Sequence, residues 1–278
     1  MSGLSRARRW RRPGVRPLEV WNLPVPGGEL WQRLGAARIE EMAGSEAGAV
    51  DLSLAEALVD AVTVARRRWT FGAVAVGGGL LARPGLAAAV ASAAVGCPLT
   101  ILPGGRFASE PGGLALLEES DFAGGMVVDV GQTSIKGSCR GRRFVRKRDV
   151  KTLPRLLIGM PKPQGADMTA LVAHAADFVA GFIRELREAA RPSSPGLILA
   201  LPCPIDDALL PGACTYGWEG AADLVPRILA GAGPPLDVRV VNDAELLAES
   251  ALRRGVRRPA LCLSLGFGPG GALLEPGE

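Results

Sequence analysis

The sequence has a single histidine and a single tyrosine, and aromatic residues make up only 5% of it. The histidine, His174, falls inside a predicted helix, which favours a plain helix-face position over a catalytic one. Five cysteines (Cys97, Cys139, Cys203, Cys214 and Cys262) are scattered without C-x-x-C spacing. That pattern argues against a disulfide framework or a zinc knuckle and for buried free thiols. No uninterrupted apolar run reaches membrane-spanning length, and the opening "MSGLSRARRWRRPG" has no apolar stretch behind its charges. The expectation is therefore a cytoplasmic chain with no membrane partner.

What is present is a globular composition. The chain has 278 residues, 48% of them hydrophobic, with 37 glycines and 22 prolines. Runs such as "AEALVDAVTVARRRW" and "MTALVAHAADFVAGFIRELREAA" read as amphipathic helices alternating with short apolar strands, a pattern of the α/β class. The net charge of +4 is concentrated in two stretches. Six arginines fall between Arg6 and Arg16, and seven basic residues between Arg140 and Lys151. Such runs can attract a polyanion, but a solvated loop or strand edge is the plainer reading, and no nucleic-acid partner is expected.

Along the chain, residues 1–17 read as an irregular basic tail. "FGAVAVGGGLL", the helix "GLAAAVASAAV" and the strand "PLTILPG" form a βαβ unit whose first strand ends in Gly77, Gly78 and Gly79. Ligands of open α/β sheets sit at that end of a strand. After Gly124 and Gly125 the pattern restarts with "MVVDVGQTSIKGSC" and "RRFVRKRDV", a predicted β-hairpin, then a long helix from about residue 167 to 190.

Several stretches carry candidate chemistry. In "DVGQTSIK" a buried strand delivers Asp129 to a tight turn whose amides, from Gly131 to Ser134, could point at one anion, and Asp129 could hold Mg²⁺ through water. A plain bulged hairpin with a satisfied carboxylate is the alternative. "LGFGPGG", with Gly266, Gly268 and Gly270, is a second glycine turn able to cradle phosphate. In "VVNDAE", Asn242 and Asp243 stand where a strand gives way to a helix, a place for a cap and equally for a catalytic carboxylate.

Together these pieces resemble the sugar-kinase, actin and Hsp70 superfamily, and in detail its ROK branch of bacterial sugar kinases. "VVDVGQTSIKG" resembles the ROK phosphate-1 hairpin, "LALPCPID" the V-P-G-P-V-D strand, and "GWEG" the substrate loop P-G-W-x-G. "VRVVNDAE" is similar to V-x-V-x-N-D-A, "LSLGFGPGGAL" to phosphate-2, and "VAVGGGLLARPGL" to the adenosine motif. In the family the adenosine motif comes last; here it precedes phosphate-1, so the chain looks like a circular permutant. "LEVWNLPVPGGELWQRLGAARIEEMAG" then resembles E-x-G-H-x-x-V followed by the family's zinc loop, with Asn22 at the His and with Trp31, Arg33 and Arg38 at the zinc cysteines.

The resemblance implies a two-lobed, actin-like (ribonuclease H-like) α/β fold. Residues 18–123 and 257–278 would form a large nucleotide- and sugar-binding lobe, and 124–256 a small lobe. It implies phosphorylation of a hexose or amino sugar by ATP and Mg²⁺, without zinc, in a protein that by family analogy forms a homodimer. Asp243 would be the catalytic base, with Asn242, Glu19, Asn22, Glu40 and Trp218 at the sugar. Asp129, Gly131, Gln132, Thr133 and Lys136, with the two other glycine turns, would hold the nucleotide. Trp218 could equally be a packed loop anchor. The alternatives are a sugar- or nucleotide-binding protein that has lost turnover, because Gln132, Phe267 and Pro269 depart from the family pattern, or a kinase that uses polyphosphate.

Overall fold

The computed structural model describes residues 5–35, 39, 42, 45–156 and 167–277. It is a mixed α/β structure that divides into two compact units, Met1–Arg11 with Gly113–Asp243, and Arg12–Gly112 with Ala244–Glu278. The divisions fall near residues 112 and 243 rather than at the expected 124 and 256.

In the first unit, β7 (Met126–Val130) is buried at every position. A three-residue loop leads to β8 (Ser134–Cys139), and a turn through Arg140 and Gly141, both at positive φ, leads to β9 (Arg142–Lys147). That geometry is the one a tight hairpin requires. Next comes α5 (Met168–Ala190), N-capped by the Asp167 carboxylate, which accepts from the Ala170 amide at 3.0 Å. Its buried Ala175, Ala176, Val179, Ile183 and Leu186 fall at helical spacing and cover the sheet. β10 (Gly196–Leu201) is an unbroken buried apolar run, as expected of a central parallel strand. After it come α6 (Leu224–Gly231) and β11 (Asp237–Asn242). The sheet order is β11-β10-β7-β8-β9, with β7, β10 and β11 parallel and a sixth strand beyond β11.

The sixth strand corrects the expected flexible tail. β1 (Arg6–Arg9) pairs in parallel with β11, Arg6 opposite Asp237 and Arg9 opposite Val240. Main-chain bonds are indifferent to side-chain charge, so an arginine run forms an edge strand while its guanidinium groups reach outward or to nearby carbonyls. Arg9 is of the second kind: its Nε donates to Ile205 O at 3.0 Å and its Nη1 to Val240 O at 3.1 Å.

In the second unit, β12 (Ala260–Leu265) and β13 (Pro269–Leu274) are antiparallel across another three-residue loop, and β13 pairs antiparallel with β2 (Val15–Leu18). After β2 come the small hairpin β3 (Pro24–Val25) and β4 (Gly28–Glu29), then α1 (Leu30–Arg33) and α2 (Ala47–Arg66). β5 (Ala73–Gly77) lies parallel to β12, and α3 (Pro84–Ala91) precedes β6 (Leu99–Ile101), which is parallel to β5. The sheet order is β2-β13-β12-β5-β6. Thus β12, β13, β2, β5 and β6 repeat the neighbours and directions of β7, β8, β9, β10 and β11. Both units share one strand order, and the second is entered by the chain at its third strand. α4 (Glu110–Glu119) and α7 (Asp243–Arg253) each follow the last strand of this series. Among the described residues no helix is long and apolar enough to cross a membrane.

Candidate anion and carboxylate site

The site of the first unit lies at the carboxyl ends of its three parallel strands. Asp129 pairs with Ala200, and Leu201 with Asn242, so Asp129 and Asn242 stand one register step apart with β10 between them. Asp243, half-buried, opens α7 directly after β11, where the helix dipole favours a carboxylate.

The β7–β8 turn spans Gly131 to Thr133. The Gly131 amide donates to Ser134 O at 2.9 Å, so it is not one of the anion donors expected from the sequence. Among the described residues the amides of Gln132 and Thr133 have no acceptor. Gln132 points its side chain inward: Nε2 donates to Pro202 O at 3.3 Å and Oε1 accepts from the Thr215 hydroxyl. Its side chain therefore braces the turn instead of reaching a nucleotide.

Beneath the turn lies Arg148, 6% exposed. It belongs to the basic run read as solvated, and its burial corrects that reading. Nε donates to Leu153 O (2.9 Å), Nη1 to Gln132 O (3.3 Å) and Thr215 Oγ1 (2.9 Å), and Nη2 to Pro154 O (2.6 Å) and Thr215 O (2.8 Å). Five guanidinium donors meet five acceptors, which is what makes a buried cation tolerable. Burial lowers the Arg148 pKa from its ordinary value. The Tyr216 hydroxyl donates to Gly131 O at 2.9 Å, and burial raises its phenol to about 12.

Trp218 is fully buried and stacks on Tyr216 at 4.4 Å between ring centres. It is the loop anchor, with no ring face open to a sugar, and this decides between the two readings of the sequence. Asn242 is buried and donates from Nδ2 to Cys203 O at 2.8 Å and Leu201 O at 3.4 Å, so its amide holds the loop after β10. Burial pushes the Cys203 thiol well above its ordinary pKa, and Cys214 beside it adds in the same direction; it is not a nucleophile at neutral pH.

Lys136 stands opposite Asp129 in the β7–β8 register, its Nζ 2.8 Å from Asp129 Oδ2. The carboxylate assigned to Mg²⁺ thus already has a cation against it. No group of three or more His, Cys, Asp or Glu side chains is placed to hold a metal among the described residues. A protein-held Mg²⁺ does not fit this arrangement.

The remaining sequence-based candidates lie in the second unit. The β12–β13 turn spans Gly266 to Gly268 between the paired Leu265 and Pro269, one residue shorter than the stretch 131–134 between the paired Val130 and Ile135 at the equivalent place, and Gly270 is a ladder residue opposite Ser264. A Cβ added at Gly266 or Gly268 would meet nothing closer than Gly268 O at 3.8 Å, so that turn is open. Gly78 differs: at φ +117° an added Cβ would lie 2.4 Å from Leu265 O, and one at Gly77 would lie 2.7 Å from Leu247 Cδ1. Gly78 is required by its backbone angle and by the Leu265 main chain, whereas at Gly77 the Leu247 side chain would have to shift. Gly79 begins a short 3₁₀ turn to Ala82. Glu19 and Asn22 are exposed between β2 and β3, and Glu40 lies outside the described residues. Reasoning from sequence missed Arg148, Thr215 and Tyr216; the signal available was one arginine within a charged run, adjacent to no motif.

Comparison of the chain with protein-family models, curated proteins and solved structures found no match to any of them.

Proposed function

We propose that the chain is a circularly permuted sugar kinase of ROK type that transfers a phosphoryl group from ATP to a hydroxyl of a hexose or amino sugar. The observation that carries this reading is the repeated strand order, with a hairpin turn between the first two strands of each series, at 131–134 and at 266–268. That is the arrangement expected if an actin-like, ribonuclease H-like fold presents two phosphate turns, and the chain's entry at the third strand of one unit is what a permutation would produce.

In this reading Asp243 accepts the proton of the attacking sugar hydroxyl as its oxygen bonds to the γ-phosphorus and the bond to the departing ADP oxygen breaks. The turn amides of Gln132 and Thr133, with Lys136, would meet charge on the phosphoryl oxygens. Asn242 holds the loop after β10, next to Asp243 in the chain. A divalent ion enters with the donor's phosphates as part of that substrate.

The test is a coupled phosphorylation assay over a sugar panel with ATP and, separately, polyphosphate. Asp243→Asn is expected to lower turnover by about 10²–10⁴-fold with sugar binding within a few fold. One structural feature favours the second reading, a binding protein without turnover: the Gln132 side chain is engaged with Pro202 O and the Thr215 hydroxyl, so that Gln132 offers a phosphate only its main chain. Sugar binding by the unmodified protein with no phosphorylation from either donor would decide for it.

A further inference from the structure

We infer that Lys136 is the built-in cation of the β7–β8 turn, so that the turn binds a phosphoryl anion without a metal at Asp129. The inference rests on the turn being a phosphoryl site, not on which acceptor is phosphorylated.

Three observations carry it. Asp129 and Lys136 are directly opposed in an antiparallel register, one on each side of the turn, which puts both side chains on one face. The side chains are 9% and 17% exposed with Nζ and Oδ2 2.8 Å apart, a charge-assisted bond in a setting where water screens little. An ammonium has three donors, and Asp129 is the one partner of Lys136 among the described residues. The lysine therefore has further N–H groups to offer.

The position of that ammonium matters as much as its partner. A Cβ built on Gly131 would lie 3.4 Å from Lys136 Nζ, so the charge sits against the first residue of the turn. The next two residues, Gln132 and Thr133, are those whose amides have no protein acceptor. Two main-chain donors and a lysine head beside one glycine are the donor types that bind a tetrahedral oxyanion. Arg148, fixed beneath the Gln132 carbonyl, adds positive potential from below. Mg²⁺ coordinating Asp129 Oδ2 would have to displace the lysine from a mostly buried carboxylate and would gain few protein ligands in exchange.

Two binding measurements test this without activity. Calorimetric titration with inorganic pyrophosphate in EDTA is expected to show binding to the unmodified protein. Lys136→Arg should keep the affinity within a few fold, and Lys136→Met should lose about tenfold or more, the loss of one charge-assisted contact. Mn²⁺ titration followed by electron paramagnetic resonance should find no site that depends on Asp129 in the unmodified protein, and a new one in Lys136→Met. If circular dichroism shows Lys136→Met unfolded, the neutral pair Asp129→Asn with Lys136→Met takes its place in the pyrophosphate titration. No pyrophosphate binding in EDTA, wild-type affinity in Lys136→Met or in that neutral pair, or a stoichiometric Mn²⁺ in the unmodified protein that Asp129→Asn removes would each overturn the inference. A sugar panel without turnover would sink the kinase reading and leave these results standing.

Discussion

The guanidinium carbon of Arg148 lies 3.8 Å from the centre of the Tyr216 ring, and the tyrosine in turn stacks on Trp218. One cation, placed between a ring and five oxygen acceptors, joins the β7–β8 turn to the 149–154 loop and the 215–218 loop.

Arg148→Met is accordingly expected to reduce unfolding free energy by about 3 kcal/mol or more, because several acceptors lose a guanidinium donor at once. Arg148→Lys should be nearly as harmful, since three donors on one nitrogen cannot span those acceptors. Urea denaturation of the three proteins measures this. A loss under 1 kcal/mol for Arg148→Met would mean that the loops hold themselves.

Tyr216, the only tyrosine, can be titrated optically without ambiguity. Its folded phenol sits at about 12, against an ordinary value of 10.0, with burial the first cause. The native state therefore keeps a proton that the unfolded chain releases. Its contribution to stability is complete below about pH 10 and is lost as pH rises through 12. Cys262, raised by burial from 9.0 to about 12, acts in the same sense from a lower starting pH. Melting temperature should fall between pH 9 and 12, and Tyr216→Phe should flatten the upper part of that fall while costing about 1 kcal/mol at neutral pH through its lost bond to Gly131 O.

Removing residues 1–11 deletes β1 and bares the edge of β11. The expected result is a lower melting temperature and a greater tendency to associate, because an unpaired parallel strand edge is a template for other chains. Arg9→Ala should show part of the effect, through the lost bonds to Ile205 O and Val240 O. A truncated protein that melts like the full chain and stays equally monodisperse would return these residues to the status of a tail.

Gly78→Ala should destabilise by about 2–3 kcal/mol, since it combines a left-handed backbone with a clash against the Leu265 carbonyl. Gly220→Ala is the control: its φ is +76°, but nothing lies within 4 Å of the added methyl, so about 1 kcal/mol is expected. Equal losses in thermal denaturation would show that φ alone matters and that the approach of β5 to β12 does not.

Local signals in the sequence located the long helix ending near Ala190, the turn at Gly131 and the buried strand before it, because each depends on a period of a few residues. The cross-strand partnership of Asp129 and Lys136 is legible only once the register is known, with Val130 facing Ile135 across residues 131–134. Arg148 was not legible: it shares a run with Arg142, Arg146 and Lys147, and only the arrival of the Leu153, Pro154 and Thr215 carbonyls singles it out. Trp218 stood open between anchor and sugar platform until its stacking partner was placed.

The sequence by itself determined the alternation of helix and strand, the apolar runs that became β7, β10 and β12, and the places where glycine lets the chain turn sharply. Those are properties of neighbours along the chain. Only the tertiary structure decided that the arginines of β1 join a sheet and that the two units repeat one strand order. Each of these depends on main-chain hydrogen bonds between distant segments, and such bonds form by register and burial with little regard to which side chains are present.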